Sequence, residues 1–348
     1  MANRSATNTT ARARRPAWRW LRTLLLGLLA LALLVPLLGA GFQAAAEAVD
    51  ARRFPPPGQL VDVGDYRVHL QVMGAEHTAG PTLLLEAGAM SASPQWFRIQ
   101  PALAERYRVV AYDRPGMGWS DAAPEAFSPT RAATALHTAL ERAGIAGPYI
   151  LVGHSLGGIF VRVFAGQYPD EVAGVVLVDP SHPEQGARMG AGSDLAAAGR
   201  SMAPMPWLAR VGGMRVIDLT GGMLAGVPDQ HAGALRSFYA NTRHIETMVA
   251  EMAGAAELGQ AAVAAGGLGD RPLIVLSAGA LPSGAGGDDP AAFLATWHAL
   301  HAELADLSAR GEQRIVTGAE HITMVTDTTH SAAVIAAVDE VAAHTGVR

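Results

Sequence analysis

The 348-residue sequence contains no cysteine and no lysine, and each absence excludes a class of chemistry. Without cysteine, the chain has no disulfide scaffold, no thiolate metal site and no cysteine nucleophile. Without lysine, Schiff-base catalysis and a P-loop lysine are excluded. All 26 basic residues are therefore arginine. We attribute this arginine bias, together with the abundance of alanine, to genomic composition rather than to function.

Charged residues are also scarce, at 16% of the chain, whereas half of the residues are hydrophobic. A disordered chain would need low hydrophobicity and a high net charge, so this class is excluded. The composition instead supplies ample material for a buried core. The net charge of −5 provides no general basic character, and we therefore predict no nucleic-acid partner.

The N-terminus differs sharply from these averages. Six arginines fall within residues 1–22, and residues 24–42 then form an apolar run without any charge. A helix needs about 20 such residues to cross a bilayer. We predict a transmembrane anchor over residues 23–43, with the Arg-rich segment 1–22 in the cytoplasm and the rest of the chain outside it.

A cleaved signal peptide is the alternative interpretation of this segment. Ala44-Ala45-Ala46 resembles a small-residue cleavage site, and cleavage would release a secreted protein. The apolar run exceeds the usual signal core of about 7–15 residues, which favours an uncleaved anchor. Residues 44–58, which end in Pro55-Pro56-Pro57-Gly58, are predicted to be a linker. The body beyond residue 49 is acidic, with 20 arginines against 30 carboxylates.

From residue 59 onward, short apolar strands alternate with helices, a pattern that indicates an α/β fold with a mostly parallel central sheet. The predicted strands cover residues 60–63, 66–72, 82–85, 108–112, 149–152, 172–178, 272–277 and 313–317. The predicted helices cover residues 94–105, 129–143, 156–168, 290–309 and 331–344. The strand signal vanishes over residues 181–269. We therefore predict a core formed by residues 59–180 and 270–348, interrupted by a helical insertion.

The clearest chemical motif follows the predicted strand 149–152. It reads Gly153-His154-Ser155-Leu156-Gly157 and lies between a strand and a helix, as the G-x-S-x-G nucleophile elbow requires. The elbow is a sharp turn that raises the serine hydroxyl above the sheet, and glycines two residues to either side avoid a clash. Ser155 is therefore the candidate nucleophile. His154 is expected to point away from Ser155 and to pack in the interior.

Here the sequence resembles the α/β-hydrolase superfamily, from about residue 60 to the C-terminus. Residues 111–121, AYDRPGMGWSD, resemble the loop that follows the fourth strand of that family, and residues 166–172, GQYPDEV, resemble its helix-to-sixth-strand connection. Residues 55–64, PPPGQLVDVG, also look like a membrane-anchored subgroup of such hydrolases. The resemblance implies a serine hydrolase with a helical lid over residues 181–269 and with no metal or organic cofactor.

The resemblance also implies a general base and an acid, in the chain order Ser, acid, His. His321 follows the last predicted strand, where the family places its histidine, and His330 is its main competitor. His298 and His301 lie on a predicted helix, where a solvent-exposed or packing role is a better interpretation of both than a catalytic role.

The acid has two candidate positions. The commonest family position follows the seventh strand, but residues 277–282 contain no carboxylate there. Asp288 and Asp289 come later in the same loop and could reach the histidine. Asp179 ends the sixth strand, where some relatives carry their acid, although a structural Asp there is also common. We predict Asp179.

Two backbone amides are expected to form an oxyanion hole. One belongs to Leu156, directly after the nucleophile, and the other to Ala89, in the loop after the third strand. Relatives usually have His-Gly in that loop, whereas this chain has Ala87-Gly88, so Glu86 or Ser91 would have to support it.

The predicted lid is rich in methionine, a side chain that makes adaptable apolar surfaces. The high methionine content has two possible reasons. The methionines form a pliable pocket for an apolar group, or they fill gaps in the packing of the helices. The lid holds seven of the 12 methionines of the chain: Met189, Met202, Met205, Met214, Met223, Met248 and Met252.

The sequence therefore predicts an acyl-enzyme hydrolase of a small, apolar carboxylic ester, tethered to the membrane through its N-terminal helix. An amide, a lactone or a carbon–carbon bond is an alternative target of the same residues. The alternative to an enzyme is a non-catalytic protein that binds a ligand on the same fold.

Overall fold

Runs of aliphatic residues form the strands of one central sheet, and this sheet sets the position of everything else. The computed structural model describes residues 17–217, 224 and 226–346. The strands are β1 (Gln59–Asp62), β2 (Arg67–Met73), β3 (Thr82–Glu86), β4 (Val109–Tyr112), β5 (Tyr149–His154), β6 (Val172–Val178), β7 (Leu273–Ala278) and β8 (Gly311–Val316).

These eight strands follow the order β1-β2-β4-β3-β5-β6-β7-β8. β1 pairs antiparallel with β2, and β2 pairs antiparallel with β4, whereas every later neighbour is parallel. The predicted mostly parallel sheet is confirmed. Because β5 lies near the centre, the turn after it emerges in the middle of the sheet's carboxyl edge, where α/β folds place their ligands.

Helices cover both faces of the sheet. They are α1 (Ala17–Arg53), α2 (Ile99–Ala104), α3 (Pro129–Arg142), α4 (Gly157–Gln167), α5 (Gln185–Met189), α6 (Leu195–Ser201), α7 (Met205–Arg210), α8 (Asp229–Phe238), α9 (Thr242–Ala253), α10 (Ala255–Ala264), α11 (Pro290–Ala305), α12 (Thr323–Thr326) and α13 (Thr328–His344). α3, α4 and α11 contribute to one apolar core, and α2 and α13 to the other.

The two cores divide the central strands by the alternation expected of a pleated sheet. In β5, Tyr149 and Leu151 enter the first core, whereas Ile150 and Val152 enter the second. All six residues of β5 are buried. The turn at its end is therefore held by a strand packed on both faces, which gives the candidate nucleophile a rigid base.

The helix predicted over residues 94–105 is wrong as a single element. The chain instead forms a 3₁₀ turn at Ser93–Trp96, followed by the separate α2. Pro101 has no N–H to bond the carbonyl of Phe97, so a continuous helix would lose that bond, whereas proline is tolerated in the first turn of a new helix. The buried Trp96 fixes the break against the second core.

The linker predicted over residues 44–58 is also wrong in its first part. α1 continues without interruption to Arg53, so only residues 54–58 connect it to β1. Alanines and Glu47 are strong helix formers, and they extend the apolar helix beyond the predicted boundary. α1 is long and apolar enough to cross a bilayer. Of the predicted cytoplasmic segment 1–22, residues 1–16 lie outside the described part of the chain.

The segment between β6 and β7 contains helices α5 to α10, as the loss of strand signal predicted. α9 packs against α6 and α7, and α10 packs against α3 and α4 of the core. Of the methionines predicted to line this insertion, Met214, Met248 and Met252 are buried together in one apolar cluster, whereas Met223 lies outside the described residues.

Candidate active site

The turn between β5 and α4 has the strained geometry of a nucleophile elbow. Ser155 adopts a φ of 55°, a left-handed conformation that L-residues rarely take without a functional reason. A Cβ added at Gly153 would lie 2.7 Å from the carbonyl oxygen of Gly157, and one added at Gly157 would lie 2.5 Å from that of Glu86. Glycine is therefore required at both flanks of the serine.

Three predicted residues from distant parts of the chain meet above this turn. The Nε2 atom of His321 lies 3.0 Å from the Oγ atom of Ser155. Its Nδ1 atom lies 2.6 Å from the Oδ2 atom of Asp179. With the proton on Nδ1, His321 donates to the carboxylate, and its Nε2 accepts the hydrogen bond of the serine hydroxyl. This is the relative arrangement of nucleophile, base and acid in serine hydrolases.

Asp179 is held firmly at the end of β6. Its side chain is 2% exposed, and its Oδ1 atom accepts hydrogen bonds from the Ala278 amide at 2.8 Å and from Nε1 of Trp297 at 2.9 Å. Burial by itself raises the pKa of the Asp179 carboxyl. The hydrogen bond and the charge of His321, and further the charge of His301, outweigh this and hold that pKa well below its usual range.

The competing residues lie elsewhere. Asp289 caps α11 by accepting the Ala292 amide at 2.9 Å, and Asp288 is exposed beside it. His330 contacts Thr323 Oγ1 at 3.0 Å.

Two further histidines pack behind the sheet edge instead of contacting Ser155. His301 is fully buried between Ser277 Oγ and the carbonyl of Pro180, and burial lowers its pKa to about 4. Nε2 of His298 lies 2.8 Å from the Ala278 carbonyl.

The two residues predicted to supply the oxyanion amides lie close to Ser155, Ala89 in the loop after β3 and Leu156 directly after the serine. A Cβ added at Gly88 would lie 3.1 Å from Cβ of Ser155, so the loop after β3 passes directly over the serine. Ala89 lines the cavity at Ser155, and Leu156 begins the turn into α4. Within the described part of the chain, neither the Ala89 amide nor the Leu156 amide has a hydrogen-bond acceptor.

Gln95 supports the loop after β3, the loop in which relatives were expected to have a histidine. The Oε1 atom of Gln95 accepts the Gly88 amide at 3.3 Å, and its Nε2 donates to Nδ1 of His154 at 3.1 Å. His154 in turn donates from Nε2 to the carbonyl of His321 at 3.1 Å. Burial, with the charge of His321, lowers the pKa of His154 to about 3, so it stays neutral. Gln95, through His154, thus connects the loop after β3 to the loop of the candidate base.

A buried ionic cluster anchors the same loop from the other side. Arg114 donates to the carbonyls of Ala87 and Gly88 at 2.8 and 3.2 Å, and it pairs with the carboxylates of Glu86 and Glu251. Burial raises the pKa of Glu86 to about 7, against the opposing effect of Arg114. Because Glu251 belongs to α9, the cluster links the insertion to the loop after β3.

The cavity above Ser155 is small and largely apolar. Its volume is about 60 Å³, and the insertion covers it with Leu224, Val227, Leu235 and Tyr239. No group of three or more metal-ligating side chains occurs among the residues that the structure describes. Sequence reasoning missed Gln95, Trp297 and the Arg114 cluster, because each acts through a partner that is remote in the sequence.

Comparison with known proteins identifies the fold. Residues 81–206 match a family model described as the alpha/beta hydrolase fold. The structure superimposes on an enol-lactonase from Burkholderia xenovorans LB400 with a TM-score of 0.58 at 20% identity, covering 81% of this chain and 99% of that one. The chain therefore has the alpha/beta hydrolase fold.

Two further proteins resemble this chain to different extents. A protein assigned as a lipase from Acinetobacter baumannii AYE superimposes with a TM-score of 0.62 at 18% identity, over 87% of this chain and 96% of that one. An uncharacterized Schizosaccharomyces pombe protein is 35% identical over 150 residues, which make up 35% of this chain and 28% of that protein. The chain therefore spans less than a third of that relative's length.

Proposed function

We propose that this chain, which has the alpha/beta hydrolase fold, is a serine hydrolase that acts through an acyl-enzyme, and that its substrate is a carboxylic ester with an apolar group. The observation that carries the proposal is the position of His321, with Nε2 3.0 Å from Ser155 Oγ and Nδ1 2.6 Å from Asp179. A serine becomes nucleophilic when a base accepts its proton and a third group orients that base.

Acylation would begin at the Ser155 hydroxyl. His321 Nε2 accepts the hydroxyl proton as Oγ forms a bond to the ester carbonyl carbon, and the carbonyl π electrons move to oxygen. The amides of Ala89 and Leu156 would donate to this oxyanion. When the carbonyl re-forms, the bond to the alkoxy oxygen breaks, and His321 gives its proton to that oxygen, which releases the alcohol.

Deacylation would repeat these steps with water. His321 accepts a proton from a water molecule as its oxygen attacks the acyl carbon, and the proton then passes to Ser155 Oγ as the acyl bond breaks. The products are the carboxylic acid and the free serine. Asp179 would stabilise the imidazolium that forms twice in the cycle without taking up its proton. None of these steps needs a metal or an organic cofactor.

A fluorophosphonate probe provides the direct test, because it phosphonylates an activated serine. We expect the full-length chain to be labelled, and Ser155→Ala and His321→Ala to lose labelling. Absence of labelling of the intact chain, in a sample shown to be folded by circular dichroism, would refute the serine mechanism. Turnover on matched ester, amide and lactone substrates of one acyl group would then define the bond that is cleaved.

The acid is tested by a pair of matched substitutions. Asp179→Asn is expected to lower kcat by a factor on the order of 100 or more, because the base would lose its orientation and charge. Asp289→Asn is the control, since asparagine also caps helices and Asp289 serves α11. Unchanged turnover in Asp179→Asn, or an equal loss in both variants, would reject the assignment.

For the N-terminus, we propose that α1 spans the bilayer and leaves the catalytic body outside the cytoplasm. The helix is long and apolar enough to span a membrane, and arginines precede its apolar run. A topology reporter fused after Pro57 should be active only on the outer side. A mature N-terminus that begins after Ala46 would instead identify a cleaved signal peptide.

A further inference from the structure

The outer end of α1 is packed against the helical insertion, not held away from it. A Cβ added at Gly39 would lie 2.5 Å from the carbonyl oxygen of Val211, so the two backbones are in close contact. One turn later, Gln43 is 3% exposed and donates from Nε2 to the Ala240 carbonyl at 2.7 Å. Asp50 then pairs with Arg215 at 2.8 Å. The anchor and the insertion therefore form one continuous packed unit.

This packing fixes the height of the insertion relative to a bilayer. At about 1.5 Å per residue, the apolar residues 24–42 span about 29 Å, close to the hydrocarbon thickness of about 30 Å. Gly39 lies in the last turn of that run, so the turn after α7, which contacts it at Val211, stands at the boundary between acyl chains and headgroups.

Three exposed apolar side chains flank this turn. Trp207 is 57% exposed, Val216 is 88% exposed and Ile217 is 46% exposed. Outside α1, only Val263 and Ile315 are comparable among the residues that the structure describes. We name the first three the juxtamembrane patch. Tryptophan and aliphatic side chains at this height are typical of an interfacial contact with lipid.

A groove leads from the patch toward the candidate active site. It has a volume of about 450 Å³, and it is lined by Val216 and Ile217 of the patch, by Asp50 and Arg53 of α1, and by residues of α8. Tyr239 lines this groove and also lines the cavity above Ser155. The groove and that cavity therefore share this side chain.

From these contacts we infer that the juxtamembrane patch is embedded in the surface of the bilayer that holds α1. We further infer that the substrate is an ester of a membrane-resident amphiphile, which approaches Ser155 along the groove past Tyr239. The substrate class rests on the proposed serine hydrolase function, whereas the contact with lipid rests only on the proposed membrane span of α1. The bilayer is the occupant because the patch continues the apolar surface of α1 at the same height.

The absence of cysteine makes the contact directly measurable, since a single cysteine carries a nitroxide without background labelling. The full chain, reconstituted in phosphatidylcholine vesicles, is labelled at Val216→Cys or at the control Val263→Cys, an exposed position on α10. We expect the label at position 216 to collide more with lipid-soluble oxygen than with an aqueous nickel chelate, and the label at position 263 to do the reverse. If the label at position 216 collides more with the nickel chelate than with oxygen, the proposed contact of the patch with lipid is refuted.

Kinetics test the route of the substrate. We expect Trp207→Ser, a patch position outside the groove lining, to lower hydrolysis of a long-chain monoacylglycerol in vesicles by about tenfold, and to leave hydrolysis of soluble p-nitrophenyl acetate unchanged. Val263→Ser, at an exposed apolar position on α10, is the control. Equal effects on both esters, or none on either, would overturn the route. If the intact chain cleaves neither ester, the proposed function and the substrate class fail together, and the nitroxide result still decides the lipid contact.

Discussion

Arg114 and Glu251 form a buried two-point ion pair, with guanidinium-to-carboxylate distances of 2.7 and 2.8 Å. The arginine follows β4, and the glutamate belongs to α9 of the insertion. Both side chains are at most 2% exposed. Since Arg114 also bonds the carbonyls of Ala87 and Gly88, the pair joins the insertion to the loop that passes over Ser155.

Removing one charge of this pair should destabilise the protein strongly. Glu251→Gln leaves Arg114 partly uncompensated in the interior, and breaking a buried pair costs about 3–5 kcal/mol of unfolding free energy. Urea denaturation measures the loss. The control is Asp339→Asn, which breaks the exposed pair with Arg106 and should cost less than about 1 kcal/mol. Similar losses in both variants would contradict the importance assigned to the buried cluster.

Asp179 should make the stability of the folded chain depend on pH in the acid range. Its folded pKa lies below the unfolded value of 3.8, so its stabilising contribution is present above that value and is lost as the pH falls through the folded pKa. The difference in unfolding free energy between the wild type and Asp179→Asn should therefore shrink as the pH falls below about 4. Urea titrations of both proteins at successive acid pH values give this difference. A gap that widens toward low pH would contradict the environment described for Asp179.

The elbow should not tolerate a side chain at its first glycine. Gly153→Ala places a methyl group 2.7 Å from a carbonyl oxygen of α4, so the turn must open and Ser155 must move away from His321. We expect loss of fluorophosphonate labelling together with a lower melting temperature. Gly80→Ala is the control, since nothing lies within 4 Å of its added Cβ, and it should label like the wild type. Undiminished labelling of Gly153→Ala would contradict the strained geometry.

Gln95 should act as a positioning residue for the oxyanion loop. Gln95→Leu keeps the size of the side chain but removes both the acceptor for the Gly88 amide and the donor to His154. Because the oxyanion forms only in the transition state, kcat should fall by roughly tenfold or more with little change in KM. Gln95→Glu, which keeps the acceptor, should recover part of the loss. A change in KM alone would indicate a role in substrate binding instead.

The sequence predicted the parts of this site that local patterns determine. Ser155 was predicted from glycine spacing between a strand and a helix, whereas Asp179 and His321 were predicted from positions that the resemblance to α/β-hydrolases implies, with Asp288 or Asp289 as the alternative acid. These positions share one edge of a parallel sheet, so their meeting above Ser155 follows from topology. Trp297, which binds Asp179 across 118 residues of chain, leaves no such local trace.

The packing of α1 on the insertion was equally invisible in the sequence. Its contacts join Gln43 to Ala240, 197 residues away, and nothing in the composition of residues 44–53 distinguishes a docked helix from a free linker. The strong helix propensity of the alanines was the available signal, but the triple proline that follows suggested a stiff linker separate from the helix instead. Long-range contacts of this kind come only from the three-dimensional structure.

Tyr239 should determine the length of the acyl group that the site accepts. It is 4% exposed and lines both the cavity of about 60 Å³ above Ser155 and the groove of about 450 Å³. Tyr239→Ala removes the ring that both spaces share, so we expect kcat/KM to rise for esters of long acyl chains and to fall or stay level for acetate. A series of p-nitrophenyl esters of increasing chain length measures the shift. Tyr239→Phe keeps the ring and should retain the wild-type profile, whereas an unchanged profile in Tyr239→Ala would show that the groove and the cavity do not communicate through this residue.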